Sequence, residues 1–191
     1  MSTNIQEVGA FSDDQLLTLA YCRTLAQYMS MVQDYLNGKC PFCDPLDLKT
    51  NNVIHEVDCW RMWANPFALK HTELHLVLAP VRHIGAEHRL DIDDFIAQGK
   101  LFVWAQKEFG FTGGGLCMRF GGPKLSSCSV LHLHSNIIVP DLSGNVRMTI
   151  AKDPHEIAEQ VARRHVFEKL RQGARPDALN ATERKLVEGR L

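Results

Sequence analysis

Residues 129 to 140 read SVLHLHSNIIVP, which places His132, His134 and Asn136 at every second position of an otherwise apolar run. In an extended strand alternate side chains share a face, so the three form a row spaced about 7 Å apart. Burying such a row costs about 1–3 kcal/mol for each group left without a partner. A sheet face open to water would relieve that cost, but Val130 and Ile138 flank the row on the same face. The functional alternatives are a metal ligand, a nucleophile, or one of each. Cys40-Pro41-Phe42-Cys43 is the second cluster. A Cys-x-x-Cys turn presents two thiolates to one tetrahedral zinc, which then needs two more nitrogen or sulfur donors. His83, which closes Pro80-Val81-Arg82-His83, offers one and His132 the other. A redox dithiol would want a βαβ context with a helix directly behind the pair. Here a helical pattern precedes the pair and Asp44-Pro45 follows it. Two idle cysteines remain the plain alternative.

Composition narrows the setting. With 191 residues and 45% apolar content the chain builds one domain plus appendages. A net charge of −1 argues against a basic surface for nucleic-acid polymers or a polybasic membrane patch, so an anionic ligand must be held by a local site. The opening MSTNIQEVGAFSDD lacks the basic start and apolar core of a signal peptide, and no apolar run is long enough to span a bilayer. The expected setting is cytoplasmic, with no membrane partner. In that compartment the other four cysteines read as reduced core thiols.

The elements that position these residues follow from periodicity and caps. Ser12 with Gln15 makes a capping box, and apolar residues recur to Leu36 before Asn37-Gly38, so residues 13 to 36 are expected to form one helix. Residues 53 to 63 and 73 to 79 read as two strands joined by a turn at Asn65-Pro66-Phe67. A helix over 92–109 follows, then a strand over 116–120, a Gly/Ser loop over 121–127 and the strand of the polar row. A short strand over 146–150, a helix over 154–171 and a last helix capped by Asn180 with Glu183 complete the chain. Helices at both ends of a hairpin-connected sheet give an α+β fold. Trp60, Trp63 and Trp104 read as core, one of them near enough to Asn65 to stack on a base. His71, His75 and His88 read as surface or hinge residues.

The order CPFC, NPF, a strand ending in PVRH, a helix, a Gly/Ser loop and HLHSN resembles the histidine triad (HIT) superfamily of nucleotide hydrolases and transferases, over roughly residues 38 to 150. The family pattern is His-φ-His-φ-His-φ-φ, with Gln at the third position in some branches. The segment after the triad is similar to the branch of diadenosine polyphosphate hydrolases and phosphorylases. The resemblance implies a HIT-like antiparallel sheet with helices, divided into an N-terminal helical segment (1–38), a catalytic domain (39–150) and a C-terminal helical extension (151–191). It implies that His134 attacks an α-phosphate and becomes nucleotidylated, that a structural zinc sits on Cys40, Cys43, His83 and His132, and that a nucleotide substrate is bound by a homodimer. Ser127 and Ser129 match phosphate-holding positions, Gly121 lies in the donor loop before the triad, and Asn65 and Phe67 match the nucleoside pocket.

The chain departs from the family at three points. Asn136 replaces the third histidine; its amide donates a hydrogen bond but cannot give up a proton as imidazolium does. Where many relatives carry an asparagine before the triad, this sequence has Arg119, which with Lys124 suits an acidic or polyphosphate substrate or else stays solvated. Ser135 stands at a position that is usually apolar. Hydrolysis, nucleotidyl transfer or phosphorolysis through the same intermediate, and a catalytically weak nucleotide-binding module all fit these residues.

Overall fold

The computed structural model describes residues 18–43, 52–85, 90–151 and 153–191. Among the described residues, five strands form one antiparallel sheet in the order β1-β2-β3-β5-β4: β1 (His55–Val57), β2 (Trp60–Ala64), β3 (Thr72–Pro80), β4 (Gly115–Arg119) and β5 (His134–Pro140). All pairings are antiparallel, as α+β with hairpin connections requires. β5 is therefore paired on both edges, and its side chains are held in register from both sides. Gly114 makes the β4 approach possible, because a Cβ there would meet the Ile138 carbonyl oxygen at 2.4 Å.

Several boundaries differ from the sequence reading. The first helix, α1, spans Leu25–Leu36, with the Thr24 side chain accepting from the Gln27 N–H; a 3₁₀ turn at Leu19–Tyr21 precedes it. Thr24 is the cap because its backbone is extended, which ends the apolar periodicity that otherwise reads through to Leu17. Ser12 and Gln15 lie outside the described residues. Residues 53 to 63 hold two strands rather than one, since Asp58 adopts φ +51 and turns β1 back on β2. β5 begins at His134, not Ser129: before it, the His132 ring is committed to the Pro80 carbonyl and the backbone makes isolated bonds rather than a ladder, such as Leu133 N–H to Ile84 O at 2.7 Å. Residues 146–150 form no strand. The Gly/Ser loop contains a short helix, α3 (Pro123–Ser126).

The two faces of the sheet do different work. Trp60, Met62, Leu76, Leu78, Ile137 and Val139 pack against Ala97, Leu101 and Ala105 of α2 (Ile92–Phe109). Ser135 faces this same helix, and Gln98 donates to its Oγ at 2.8 Å, so the polar residue inside the strand is satisfied. Trp63, Val77 and Ala79 lie together on the opposite side, against Phe42. A second core joins Cys22, Tyr28, Met31 and Val32 to Val166 and Phe167 of α4 (Pro154–Arg171), and to Leu179 and Val187, the latter in α5 (Ala181–Val187). No described helix is long and apolar enough to cross a membrane.

α2 is anchored by Asp94, only 1% exposed. It completes the Asp91 capping box, accepts the Arg82 fork at 2.6 and 2.5 Å, and accepts the Trp60 indole N–H at 3.0 Å. These bonds, Arg82 first, hold its carboxyl well below the usual carboxylate range. Arg82 precedes His83, so the same ion pair fixes the PVRH segment. Replacement Asp94→Ala is expected to cost about 2–4 kcal/mol in urea unfolding. With the folded value depressed, the contribution is whole above the unfolded carboxyl value near pH 4 and is lost as pH falls below it. The urea midpoint of the wild type should therefore drop more steeply from about pH 4 to pH 2 than that of Asp94→Asn; parallel profiles would show that Asp94 is not the titrating anchor.

Candidate active site and metal cluster

The CPFC turn and the residues ahead of β5 meet. Cys40, Cys43, His83 and His132 bring their donor atoms within 4.8 Å of one another. His132 Nδ1 lies 3.5 Å from Cys40 Sγ and 3.3 Å from Cys43 Sγ, and His83 Nδ1 lies 3.3 Å from Cys43 Sγ. The other nitrogen of His132, Nε2, is 3.0 Å from the Pro80 carbonyl oxygen. A carbonyl only accepts, so Nε2 carries the proton and Nδ1 turns a lone pair toward the sulfurs. The Cys43 thiol is drawn well below the ordinary thiol range, first by the hydrogen bond from Cys40 and then by His132 and His83, while Cys40 is pushed up by the same pairing. Two sulfurs and two imidazoles at this separation fit a four-coordinate metal with no position left for water.

His134 sits two residues on, in a different compartment. Its Nδ1 lies 2.7 Å from the His132 carbonyl oxygen, so Nδ1 is the protonated nitrogen and Nε2 keeps its lone pair. Burial, above all, pushes the ring down to about 4, which keeps it neutral at physiological pH. Phe42 touches both imidazoles, with ring centroids 5.8 Å from His132 and 5.2 Å from His134, and rests edge-on against Trp63 at 5.0 Å. The CPFC turn thus supplies a wall of the space in front of His134.

That space is a cleft of about 360 Å³. His134, Asn136, Ser127, Ser129, Asn65 and Phe67 all line it. Gly121 does not; its φ of +88 turns the chain into α3, with Leu125 packed beside it. Lys124 is exposed and also outside the cleft, whereas Arg119 is in its wall. Asn65 Oδ1 accepts from the Phe67 N–H at 2.9 Å, the local bond that shapes the NPF turn. Ser129 Oγ accepts from Gln27 of α1 at 3.1 Å. Among the described residues, Ser127 Oγ and Asn136 Nδ2 are buried with no partner. Two unmet donors beside a neutral imidazole are what an anionic oxygen requires.

No protein-family model matches the chain, and no curated protein matches it. Solved structures do align. A member of the HIT family from Bacillus subtilis is 19% identical, with a TM-score of 0.44 and 71% of this chain and 97% of that chain covered. A Zn-bound histidine triad family protein from Mycobacterium smegmatis is 15% identical, with a TM-score of 0.42 over 71% and 97%. The Plasmodium falciparum diadenosine triphosphate hydrolase, in complex with cyclomarin A, is 17% identical, with a TM-score of 0.38 over 63% and 82%. In fold, the chain resembles these histidine triad proteins.

The sequence reading missed His75. It is neither surface nor hinge but buried in β3, on the cleft wall, and burial lowers its pKa. Its Nδ1 accepts from the Leu69 N–H at 3.0 Å, so Nε2 holds the proton and donates to Asn136 Oδ1 at 2.9 Å. With Oδ1 engaged, the Asn136 amide must turn its NH₂ into the cleft. The available signal was a histidine inside the apolar run 74–79, in a strand adjacent to β5. His88 lies outside the described residues. Of the tryptophans, Trp63 lines the cleft, Trp60 is core, and Trp104 stacks on His55 at 4.0 Å. Replacement His75→Ala strands Asn136 Oδ1 and the Leu69 N–H, and is expected to cost about 1–3 kcal/mol in chemical unfolding; a cost below about 0.5 kcal/mol would show that the pair does not hold the amide.

Proposed function

We propose that this chain is a HIT-type enzyme that cleaves a nucleoside phosphoanhydride or phosphoramidate through a nucleotidyl intermediate on His134. The observation that carries the reading is the His134 Nδ1 bond to the His132 carbonyl, which commits one nitrogen and leaves the other as the nucleophile in a cleft with unmet donors. Nε2 forms a bond to the α-phosphorus as the bond to the leaving group breaks, and the leaving group departs with the electron pair. Asn136 Nδ2 and Ser127 Oγ donate to the nonbridging oxygens as charge grows there. Water then attacks phosphorus, the N–P bond returns its pair to Nε2, and the water proton passes to solvent. Inorganic phosphate or another nucleophile in place of water gives phosphorolysis or transfer from the same intermediate.

In the same reading zinc occupies Cys40, Cys43, His83 and His132 and is structural. It ties the CPFC turn to the residue before β5. Asn65, Phe67 and Trp63 hold the nucleoside, and the protein acts as a cytoplasmic homodimer. The diadenosine triphosphate hydrolase among the aligned structures is consistent with a nucleotide substrate.

Two measurements test the reading. Incubation with adenosine polyphosphates and adenosine phosphoramidate, followed by intact-mass analysis, should show a nucleotidyl adduct or release of AMP, and His134→Ala should lower turnover about 1000-fold or more; activity retained in that variant overturns the assignment. Elemental analysis should find one zinc per chain, kept in His134→Ala and lost in His132→Ala and Cys43→Ser. Unchanged zinc in the last two would remove these residues from the metal site.

A further inference from the structure

After β5 the chain turns back along the cleft, and Arg147, Met148 and Thr149 enter its lining. Val146 and Met148 are half-buried; the rest of residues 141–151 is exposed. Two fixed points bound this stretch. At the first, the Asp141 N–H donates to the His71 carbonyl at 3.0 Å, and Asp141 Oδ1 accepts from the Ser143 N–H at 2.8 Å and from its hydroxyl at 2.6 Å. With its proton given to Asp141, Ser143 Oγ accepts from His71 Nδ1 at 2.7 Å. Gly144 lies against the His71 ring, where a Cβ would come within 2.8 Å of Nδ1. At the second point the Ala151 N–H donates to the Leu125 carbonyl at 2.7 Å. Among the described residues, the stretch from Asn145 to Ile150 is tied by a single hydrogen bond, from Arg119 Nη1 to the Thr149 carbonyl at 3.2 Å.

Backbone strain falls at the two ends of the same stretch. Leu142 adopts φ +63 and Ala151 φ +47, a region that side-chain-bearing residues seldom enter. Leu142 is 90% exposed, so no packing rewards its conformation. His134 and Asn136 are 8% and 3% exposed, so a ligand reaches them only past a wall that yields. The other walls are tied down. β3 and β5 are paired within the sheet, α1 is built into the second core, and Phe42 is packed on Trp63. The NPF turn is held by Asn65 and by Arg23 on the Phe67 carbonyl. Few buried contacts and few backbone bonds mark the segment that opens at least cost. We propose that residues 145–150 are a movable strap, hinged at Leu142 and Ala151 and fastened by the His71–Ser143–Asp141 clasp and the Arg119–Thr149 bond, which opens to pass the ligand and closes over it. Closure removes bulk water from the space in front of His134. The ligand is the nucleotide of the proposed function, and this part rests on that reading; the hinges and the clasp do not.

Trypsin added to the folded full chain tests the strap without requiring turnover. Arg147 is the only basic residue between Asp141 and Ala151, and a protease cuts after it only once that backbone leaves the cleft. In the wild type the cut after Arg147 should be at least about 100-fold faster than the cut after Arg61, which lies inside β2 and is released only when the sheet unfolds. His71→Gly removes the clasp ring and leaves a residue suited to the φ of +64 at that position; Gly144→Val pushes the clasp apart from the other side. Each should speed the Arg147 cut about 5-fold or more and leave the Arg61 cut within about twofold of wild type. Saturating AMP, its binding measured by calorimetry, should slow the Arg147 cut about 10-fold or more. An Arg147 cut no faster than that at Arg61 overturns the proposal, as does a rate unchanged in both variants. Bound AMP that leaves the Arg147 rate unchanged also overturns it, with the nucleotide reading intact. If AMP does not bind while the wild type and the clasp variants are cut as expected, the nucleotide reading falls and the hinged strap stands.

Discussion

One residue, His132, carries three constraints at once. Its Nε2 is tied to Pro80, its Nδ1 faces two thiols, and its backbone carbonyl takes the Nδ1 proton of His134. The ring is therefore fixed at both nitrogens, and the peptide it belongs to sets the tautomer of the next imidazole. The Cys/His cluster and His134 are not separate features that happen to be close. They are the side chain and the main chain of the same short segment, which explains why β5 starts only at His134. Regular pairing across residues 131–133 would compete with the contacts that hold His132.

Phe42 extends this coupling through packing. It sits between two cysteines whose positions the cluster dictates, and its ring closes the cleft in front of His134. An aromatic ring there excludes water from one side of the imidazole and meets Trp63 edge-on, a contact of favourable quadrupole geometry. The opposite face of the sheet is secured by different means, with α2 docked through apolar residues and through the Asp94 network. On that face the buried polar side chains of Gln98 and Ser135 are paired with each other. On the cleft face, Asn136, Ser127 and Arg119 keep unpaired buried atoms. Three of the unmet hydrogen-bonding atoms thus lie where a ligand would satisfy them.

The cleft combines a surplus of positive charge with few groups that can give up a proton. A carboxamide stands at the third position, held by a neutral imidazole from the neighbouring strand, and a guanidinium stands across from the second. Such a site stabilises negative charge well and delivers protons poorly. Arginine suits the task because it stays charged when half-buried and can bond carbonyls with one edge while offering another to an anion.

How much of this was legible in the sequence depended on how local the physics was. Cys40-x-x-Cys43, the His132-x-His134-x-Asn136 alternation, and the α2 and α4 boundaries at 92–109 and 154–171 are set by spacing and by caps within a few residues, so the residues alone determined them. The start of α1 was misread because an apolar period continued past an extended Thr24. What the tertiary structure decided were pairings between strands and layers: His75 beneath Asn136, Gln98 against Ser135, Arg119 opposite His134, and Gly121 outside the cleft that Ser127 enters. Period-two alternation tells which side chains share a face of one strand. It does not tell which residues of another strand lie beside them, because register is fixed only when the sheet assembles and both faces are packed.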